Sequence, residues 1–151
     1  MQDNEYKGYE QACAKIRKDN AELLTKFKQW LTQTGIGTKT IQRHLENVDF
    51  YLDTFLLNED AIPAREGAGH ISMFLGYWFV RKAMWASPDS IRQNAASLKK
   101  FYTFMHEQGQ LDADDLQELK ITIKEEMPEW LATLGRHDDP DVTDPMEIWN
   151  L

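Results

Sequence analysis

The sequence predicts an all-α protein, and three observations favour that class. Apolar residues recur at steps of three and four along nearly the whole chain, the spacing that places them on one face of a helix. No stretch alternates apolar and polar residues over the length of a β-strand. Turn signals are sparse, with eight glycines and five prolines in 151 residues. A chain of this length is expected to fold as one domain with its own core.

The first two predicted helices are separated by a short glycine turn. One long helix, or two abutting ones, is expected to end at Gly35 and Gly37, because glycine favours helix ends. Its predicted apolar face consists of Tyr6, Tyr9, Cys13, Ile16, Leu23, Phe27, Trp30 and Leu31. Thr38 is then expected to cap a second helix. The inner face of that helix is predicted to comprise Ile41, Leu45, Val48, Leu52 and Phe55.

A loop over residues 58–69 leads to a third helix, predicted from about residue 70 to residue 86. This helix is apolar around most of its circumference, so we expect it to be the central and most buried one. Its apolar residues are Ile71, Phe74, Leu75, Tyr77, Trp78, Phe79, Met84 and Trp85. Ser87 is predicted to cap a fourth helix, with Pro88 at its first position and Gly109 at its end. The predicted core face of the fourth helix is Ile91, Ala95, Leu98, Tyr102 and Met105.

The C-terminal part contains one or two further helices. Asp112 is a predicted cap for a fifth helix, and Pro128 is expected to break it. The apolar residues before the break are Leu116, Leu119 and Ile123, and those of the short sixth helix after it are Trp130, Leu131 and Leu134. The remaining residues are acidic and end in the apolar residues Met146, Ile148, Trp149 and Leu151.

Charge is distributed unevenly along the chain. Residues 1–109 carry 14 lysines and arginines against 13 aspartates and glutamates, a net charge of +1. Residues 110–151 carry 3 against 12, a net charge of −9. The net charge of −8 therefore does not exclude an anionic partner for the body of the protein.

Several kinds of site and location are disfavoured by the sequence. Cys13 is the only cysteine, so neither an intramolecular disulfide nor a cysteine-rich metal site is expected. The histidines lack metal-ligand spacing, and a surface or capping role is predicted for His44, His70, His106 and His137. The chain begins without the pattern of a signal peptide, and its most apolar run, residues 73–80, is shorter than a membrane span. We therefore expect a cytoplasmic protein without a cofactor.

The second and fourth predicted helices repeat one another at an offset of fifty residues. Each opens with a small hydroxyl residue, followed by an apolar residue and two long side chains that can donate hydrogen bonds. The matched pairs are Thr40 and Ser90, Ile41 and Ile91, Gln42 and Arg92, and Arg43 and Gln93. Hydroxyl and backbone N–H groups at a helix start bind phosphate, and Arg and Gln one turn later can reach base edges.

The repeated face therefore predicts DNA binding. The candidate DNA-binding residues are Thr38, Lys39, Thr40, Arg43, Ser87, Ser90, Arg92, Gln93, Lys99 and Lys100. The alternative is an ordinary solvated surface, because Ser and Thr are common caps and Arg, Lys and Gln favour helices. Glu46 and Asp49, on the outer side of the second helix, favour this alternative.

Two long stretches resemble a known family. These are "LLTKFKQWLTQTGIGTKTIQRHLENVDFYLDTFL" (23–56) and "SPDSIRQNAASLKKFYTFMHEQGQL" (87–111). They resemble the N-terminal core-binding domain of the tyrosine recombinases, or phage integrases. In that family a glycine turn leads to S/T-x-x-T/S-I and a helix, and a second such helix closes with an aromatic FY-x-F and a glycine. Here "TKTI", "SPDSI" and "FYTFMHEQG" occupy those places.

The resemblance implies a SAM-like bundle of four main helices, with an N-terminal helical extension and one or two extra C-terminal helices. It also implies double-stranded DNA as partner, bound by the second and fourth helices, and a role in DNA integration or recombination. The family's catalytic domain supplies an Arg/His/Arg cluster and a nucleophilic tyrosine. The 42 residues after Gly109 contain one Arg, one His and no Tyr, so we expect a chain that is not an enzyme.

The expected organisation has four parts. They are an N-terminal helical extension (1–19), a core-binding-like bundle (20–111), accessory C-terminal helices (112–135) and an acidic tail (136–151). Residues 110–151, with their net charge of −9, are expected to lower the affinity of the helical body for DNA, and a chain that ends at Leu111 would test this. The acidic tail also supports the alternative function, a helical adaptor that binds a protein partner through that tail or its apolar surfaces.

Overall fold

The computed structural model describes residues 2–138, with side chains from residue 5 to residue 136. Over that part of the chain the protein is all-α and contains no β-strand, which confirms the predicted class. Four long helices are α1 (Gln2–Gln33), α2 (Thr38–Asp49), α5 (Pro88–Glu107) and α6 (Ala113–Asp138). Between α2 and α5 lie two short helices, α3 (Ile71–Met73) and α4 (Phe79–Lys82).

Irregular helical turns connect the shorter elements. A π-helical segment, Phe50–Phe55, continues α2 without a break. A 3₁₀ segment, Ala64–His70, leads directly into α3, and a second π-helical segment, Phe74–Trp78, joins α3 to α4. We call the continuous stretch 64–82 the central rod. It occupies the place where the sequence predicts a single α-helix from 70 to 86, so that prediction is wrong in both its bounds and its regularity.

The helix ends follow from local chemistry. Gly35 and Gly109 adopt positive φ angles of 83° and 77°, which L side chains rarely adopt, and α1 and α5 end just before them. The Ser87 hydroxyl accepts the Ser90 backbone N–H, while the Ser90 hydroxyl accepts that of Ser87, a capping box that confirms the predicted start of α5. Asp112 caps α6 by accepting the backbone N–H of Asp115 at 2.7 Å, as predicted.

The predicted cap at Thr38 is wrong. Thr38 is the first residue of α2, and its N-cap is Gly37, whose backbone is extended. Glycine is itself tolerated at this position, although it provides no side-chain oxygen to the first turn.

One core joins all the long helices and the central rod. Its members include Phe27 of α1, Val48 of α2, Phe74 of the rod, Leu98 of α5 and Leu119 of α6. The predicted inner residues of α2 and α5 are buried in this core, except that Leu45 and Phe55 are half-buried. The segment 112–135 contributes to the same core as 20–111, and residues 2–33 form one helix rather than two.

The segment of the predicted third helix is less buried than its composition predicts. Ile71, Phe74, Leu75, Phe79 and Val80 lie in the core. In contrast, three aromatic or methionine side chains that the sequence assigns to the core are exposed, namely Tyr77, Met84 and Trp85. Met84 and Trp85 follow the end of α4 at Lys82, so they do not lie on the buried face of that helix.

The predicted helix break at Pro128 is also wrong, because α6 runs through this residue to Asp138. Proline removes one backbone N–H and costs about 3 kcal/mol inside a helix. Ile123 before it and Trp130 after it are both buried in the core. Packing on both sides therefore holds the two halves of α6 in one helix.

Within the described residues, no helix has the combination of length and hydropathy that crossing a bilayer requires.

Candidate nucleic-acid interface

The helices α2 and α5, on which the candidate residues lie, pack against each other through a small polar cluster. Nδ1 of His44 lies 2.7 Å from the hydroxyl of Ser97, and the Asn47 side-chain amide donates to the same hydroxyl at 3.0 Å. Ser97 is fully buried and His44 is 5% exposed. The predicted surface or capping role of His44 is therefore wrong. Its spacing, three residues after Ile41 and four before Val48, does place it on the inner face of α2.

The Ser97 hydroxyl thus hydrogen-bonds to two side chains of α2, because it accepts from the Asn47 amide and pairs with Nδ1 of His44.

Burial lowers the pKa of His44, and the positive charges of Lys100 and Arg43 lower it further. These effects favour the neutral imidazole in the free protein. The charges of Arg43 from α2 and Lys100 from α5 thus both contribute to the lowered pKa of this ring.

A second group of cations lies between α5 and α6. Lys99 and Lys100 of α5 line an open groove of about 580 Å³ together with Lys120 and Lys124 of α6. We call this the lysine groove; its other lining residues are Trp30, Thr103 and Ile123. Among the described residues, none of the four lysines forms an ion pair with a carboxylate.

Lys100 belongs to both groups, because its charge lowers the pKa of His44 and its side chain also lines the lysine groove. Arg43, Lys99, Lys100, Lys120 and Lys124 together form what we call the basic face, which extends across α2, α5 and α6. Sequence reasoning missed Lys120 and Lys124 because they lie in the acidic C-terminal part. Their spacing of four residues, which puts them on one side of a helix, is the signal that could have found them.

The other candidate residues on α2 lie at its start. Lys39 is exposed and one turn before Arg43. Thr38 is exposed and Thr40 is half-buried. These positions leave the first turn of α2 open to solvent, and Lys39 extends the run of cations along that helix.

The candidate residues at the start of α5 are more constrained. The hydroxyls of Ser87 and Ser90 are occupied by their own capping box, with bonds of 3.0 and 2.7 Å. Arg92 is exposed and lies 3.7 Å from Asp89, a pair too solvated to hold it firmly. Gln93 is exposed. The structure thus groups Lys99 and Lys100 with the basic face, whereas Ser87 and Ser90 serve the helix start.

An acidic concavity lies on another side of α6. A cavity of about 540 Å³ between the central rod and α6 is lined by one arginine, Arg65, and by the carboxylates of Glu66, Asp115, Glu118 and Glu126. No group of three or more histidine, cysteine or carboxylate side chains in the described part of the chain is arranged to hold a metal ion. The carboxylates of α6 that line this cavity are different residues from the α6 lysines of the lysine groove, so the two surfaces are separate.

Comparison of the chain with models of protein families, with curated proteins and with solved structures finds no match.

Proposed function

We propose that this chain is a non-catalytic, cytoplasmic DNA-binding domain that holds duplex DNA against its basic face. The observation that supports the proposal is the set of four lysines in the lysine groove, joined through Lys100 to Arg43. Lysines that form no ion pair with the described carboxylates can replace the counterions of a phosphate backbone, which provides much of the affinity of a protein for DNA. The whole chain has a net charge of −8, whereas the basic face brings five cations together on neighbouring helices.

The proposal retains the role that the family resemblance implies, a core-binding domain that acts in DNA integration or recombination. It changes the proposed surface, because α6 contributes two lysines in addition to those of α2 and α5. Phosphate contacts of this kind position a duplex without reading its sequence. Exposed Gln93 and Arg92 are the side chains on α5 that we propose for contacts with base edges.

Two tyrosines of the core are unsuited to act as a nucleophile. The hydroxyl of Tyr51 donates to the carbonyl of Gly67 at 2.6 Å, and that of Tyr102 donates to the carbonyl of Ala64 at 2.8 Å. Burial raises the pKa of both phenols well above the usual value. Neither phenol is accessible or ionised enough to attack a phosphodiester.

The proposal is tested by the double substitution Lys120→Gln and Lys124→Gln. We expect duplex affinity to fall at low salt, and the slope of log affinity against log salt to decrease by about two, because each phosphate contact contributes about one. The measurement is a titration of labelled duplex at several salt concentrations. A slope equal to that of the unchanged protein would contradict the proposed surface.

A matched control is available on α1. Lys7→Gln with Lys15→Gln makes the same change of charge at exposed positions. Lys15 lies roughly 22 Å along the helix from Trp30, at about 1.5 Å per residue. An equal loss in both double variants would mean that net charge, rather than the lysine groove, determines binding.

The second candidate function is a helical adaptor that binds a protein partner. One observation favours it: Met84 is 99% exposed, and Trp85 beside it is 58% exposed. Neighbouring apolar side chains that form a contiguous exposed patch often mark an interaction surface. If the unchanged protein binds no duplex even at low salt, the DNA proposal fails and the adaptor becomes the preferred function.

A further inference from the structure

The lysine groove combines positive charge with an aromatic side chain. Its four lysines belong to α5 and α6, and Trp30 of α1 lines the same groove of about 580 Å³ together with Ile123. A phosphate group by itself requires cations and no aromatic neighbour. A groove of this composition suits a ligand that is anionic in one part and flat and apolar in another.

Trp30 is held in place by contacts within α1 and with α5. Its ring packs against Phe27 at a centroid distance of 6.0 Å and against Phe104 at 5.9 Å. Its indole N–H donates to a carboxylate oxygen of Glu107 at 3.2 Å. Trp30 is nevertheless only half-buried, and it lines the lysine groove. A ring whose orientation is already fixed loses little conformational entropy when a ligand stacks on it.

We propose that the lysine groove binds an unpaired nucleotide of DNA, with its base stacked on Trp30 and its phosphates beside the lysines. Every base has an aromatic face, and grooves that bind single strands combine stacking on aromatic side chains with positive charge along the backbone. The groove volume lies within the range of about 300–1,000 Å³ for small-molecule sites, which is enough for one nucleotide. This inference rests on the proposed function for DNA as the ligand, and it adds an unpaired base to the preferred substrate.

The proposed site predicts a preference among DNA structures. In a perfect duplex every base is paired and stacked, so a base can enter the groove only by leaving the helix, which costs free energy. A bulged base has no pairing partner and leaves at a lower cost. Stacking of one base on an aromatic side chain raises affinity by about 5- to 150-fold. We expect a bulged duplex to bind more tightly than a perfect duplex by a factor in this range.

The first experiment titrates the full chain with three labelled DNAs of the same sequence. They are a perfect duplex, a duplex with a single bulged adenine, and the same bulge with an abasic nucleotide. The abasic bulge keeps the extra phosphate and the bend of the duplex and lacks only the base. We expect the adenine bulge to bind more tightly than the other two. Equal affinity for the adenine and abasic bulges would overturn this inference, while salt-dependent binding of the perfect duplex would leave the proposed function standing.

The second experiment assigns the base to Trp30. We expect Trp30→Leu to abolish the preference for the adenine bulge over the abasic bulge without changing the affinity for perfect duplex, and Trp30→Phe to retain most of that preference. Trp85→Leu is the control, because Trp85 is 58% exposed, contacts Phe50 and Phe79 and does not line the groove. A preference that persists in folded Trp30→Leu would overturn the site.

A measurement on the unchanged protein locates the base even if Trp30→Leu does not fold. A duplex with a bulged 5-iodouracil is crosslinked by light, and the attached residue is identified by mass spectrometry. We expect the crosslink at Trp30. The absence of a crosslink to any residue of the groove would overturn the site.

The outcomes also separate this site from the proposed function. If the perfect duplex does not bind at low salt but the adenine bulge binds more tightly than the abasic one, the duplex proposal fails and the nucleotide site stands. Free deoxyadenosine monophosphate is expected to compete only weakly, because it lacks the neighbouring phosphates of a strand. Competition as strong as that of unlabelled bulged duplex would overturn DNA as the ligand. If no DNA binds, both proposals fail.

Discussion

Single residues in the middle of the fold control how closely its elements approach. A Cβ atom added at Gly67 would lie 2.5 Å from the hydroxyl of Tyr102 and 2.6 Å from Cδ1 of Leu56. The Tyr51 hydroxyl bonds the Gly67 carbonyl, so the crowding falls where two helices contact the central rod. We expect Gly67→Ala to lower the free energy of unfolding by about 1–3 kcal/mol, measured by chemical denaturation.

Gly69→Ala is the matched control for this change. It lies two residues away in the same 3₁₀ segment, and among the described residues no atom comes within 4 Å of its added Cβ. Its effect should be within about 0.5 kcal/mol of zero, as for other surface substitutions. Equal losses in the two variants would show that backbone conformation, rather than contact with Tyr102, determines the need for glycine.

At the scale of elements, α6 is the helix whose sequence and structure disagree most. Pro128 is exposed, and the helix continues through it because Ile123 and Trp130 are both buried. Pro128→Ala restores a backbone N–H and removes the ring, so we expect it to stabilise the protein by up to about 3 kcal/mol. Glu125→Ala, at another exposed position of α6, should change stability little. If Pro128→Ala leaves the denaturation midpoint unchanged, α6 is interrupted there in solution.

The elements that could be predicted are those with strong local chemistry. Ser87 with Pro88 fixes the start of α5, and Leu98 lies on a face with regular spacing, so both predictions are confirmed. Predictions failed where tertiary packing overrides local preference, as at Pro128. The predicted surface role of His44 was wrong for another reason. Histidine is polar, which favours the surface, and only the hydrogen bond with Ser97 satisfies it in the interior.

The candidate site was predicted in part. Lys99 and Lys100 were identified from the pattern on α5, but Lys120 and Lys124 belong to a segment whose net charge is negative. Charge counted along a sequence does not report which helix faces meet. The packing of α6 against α5 brings the two pairs together.

The whole molecule combines a basic face with an acidic chain. Our expectation from the sequence was that residues 110–151 weaken DNA binding, with removal after Leu111 as the test. That truncation is unsuitable because it deletes Leu116, Leu119 and Trp130 from the core. Residues 139–151 lie outside the described residues and carry four acidic side chains, namely Asp139, Asp141, Asp144 and Glu147. A chain that ends at Asp138 retains every described element.

We expect this shorter chain to bind duplex DNA more tightly than the full chain at low salt. Four negative charges repel phosphate over a Debye length of about 10 Å at 0.1 M salt, and the repulsion is screened as salt increases. The difference in affinity should therefore shrink at high salt. The control is the full chain with the four residues changed to Asn and Gln, which keeps the length and removes the charge. Tighter binding by the truncated chain but not by this neutral chain would show that the segment occupies space at the basic face instead of acting through its charge.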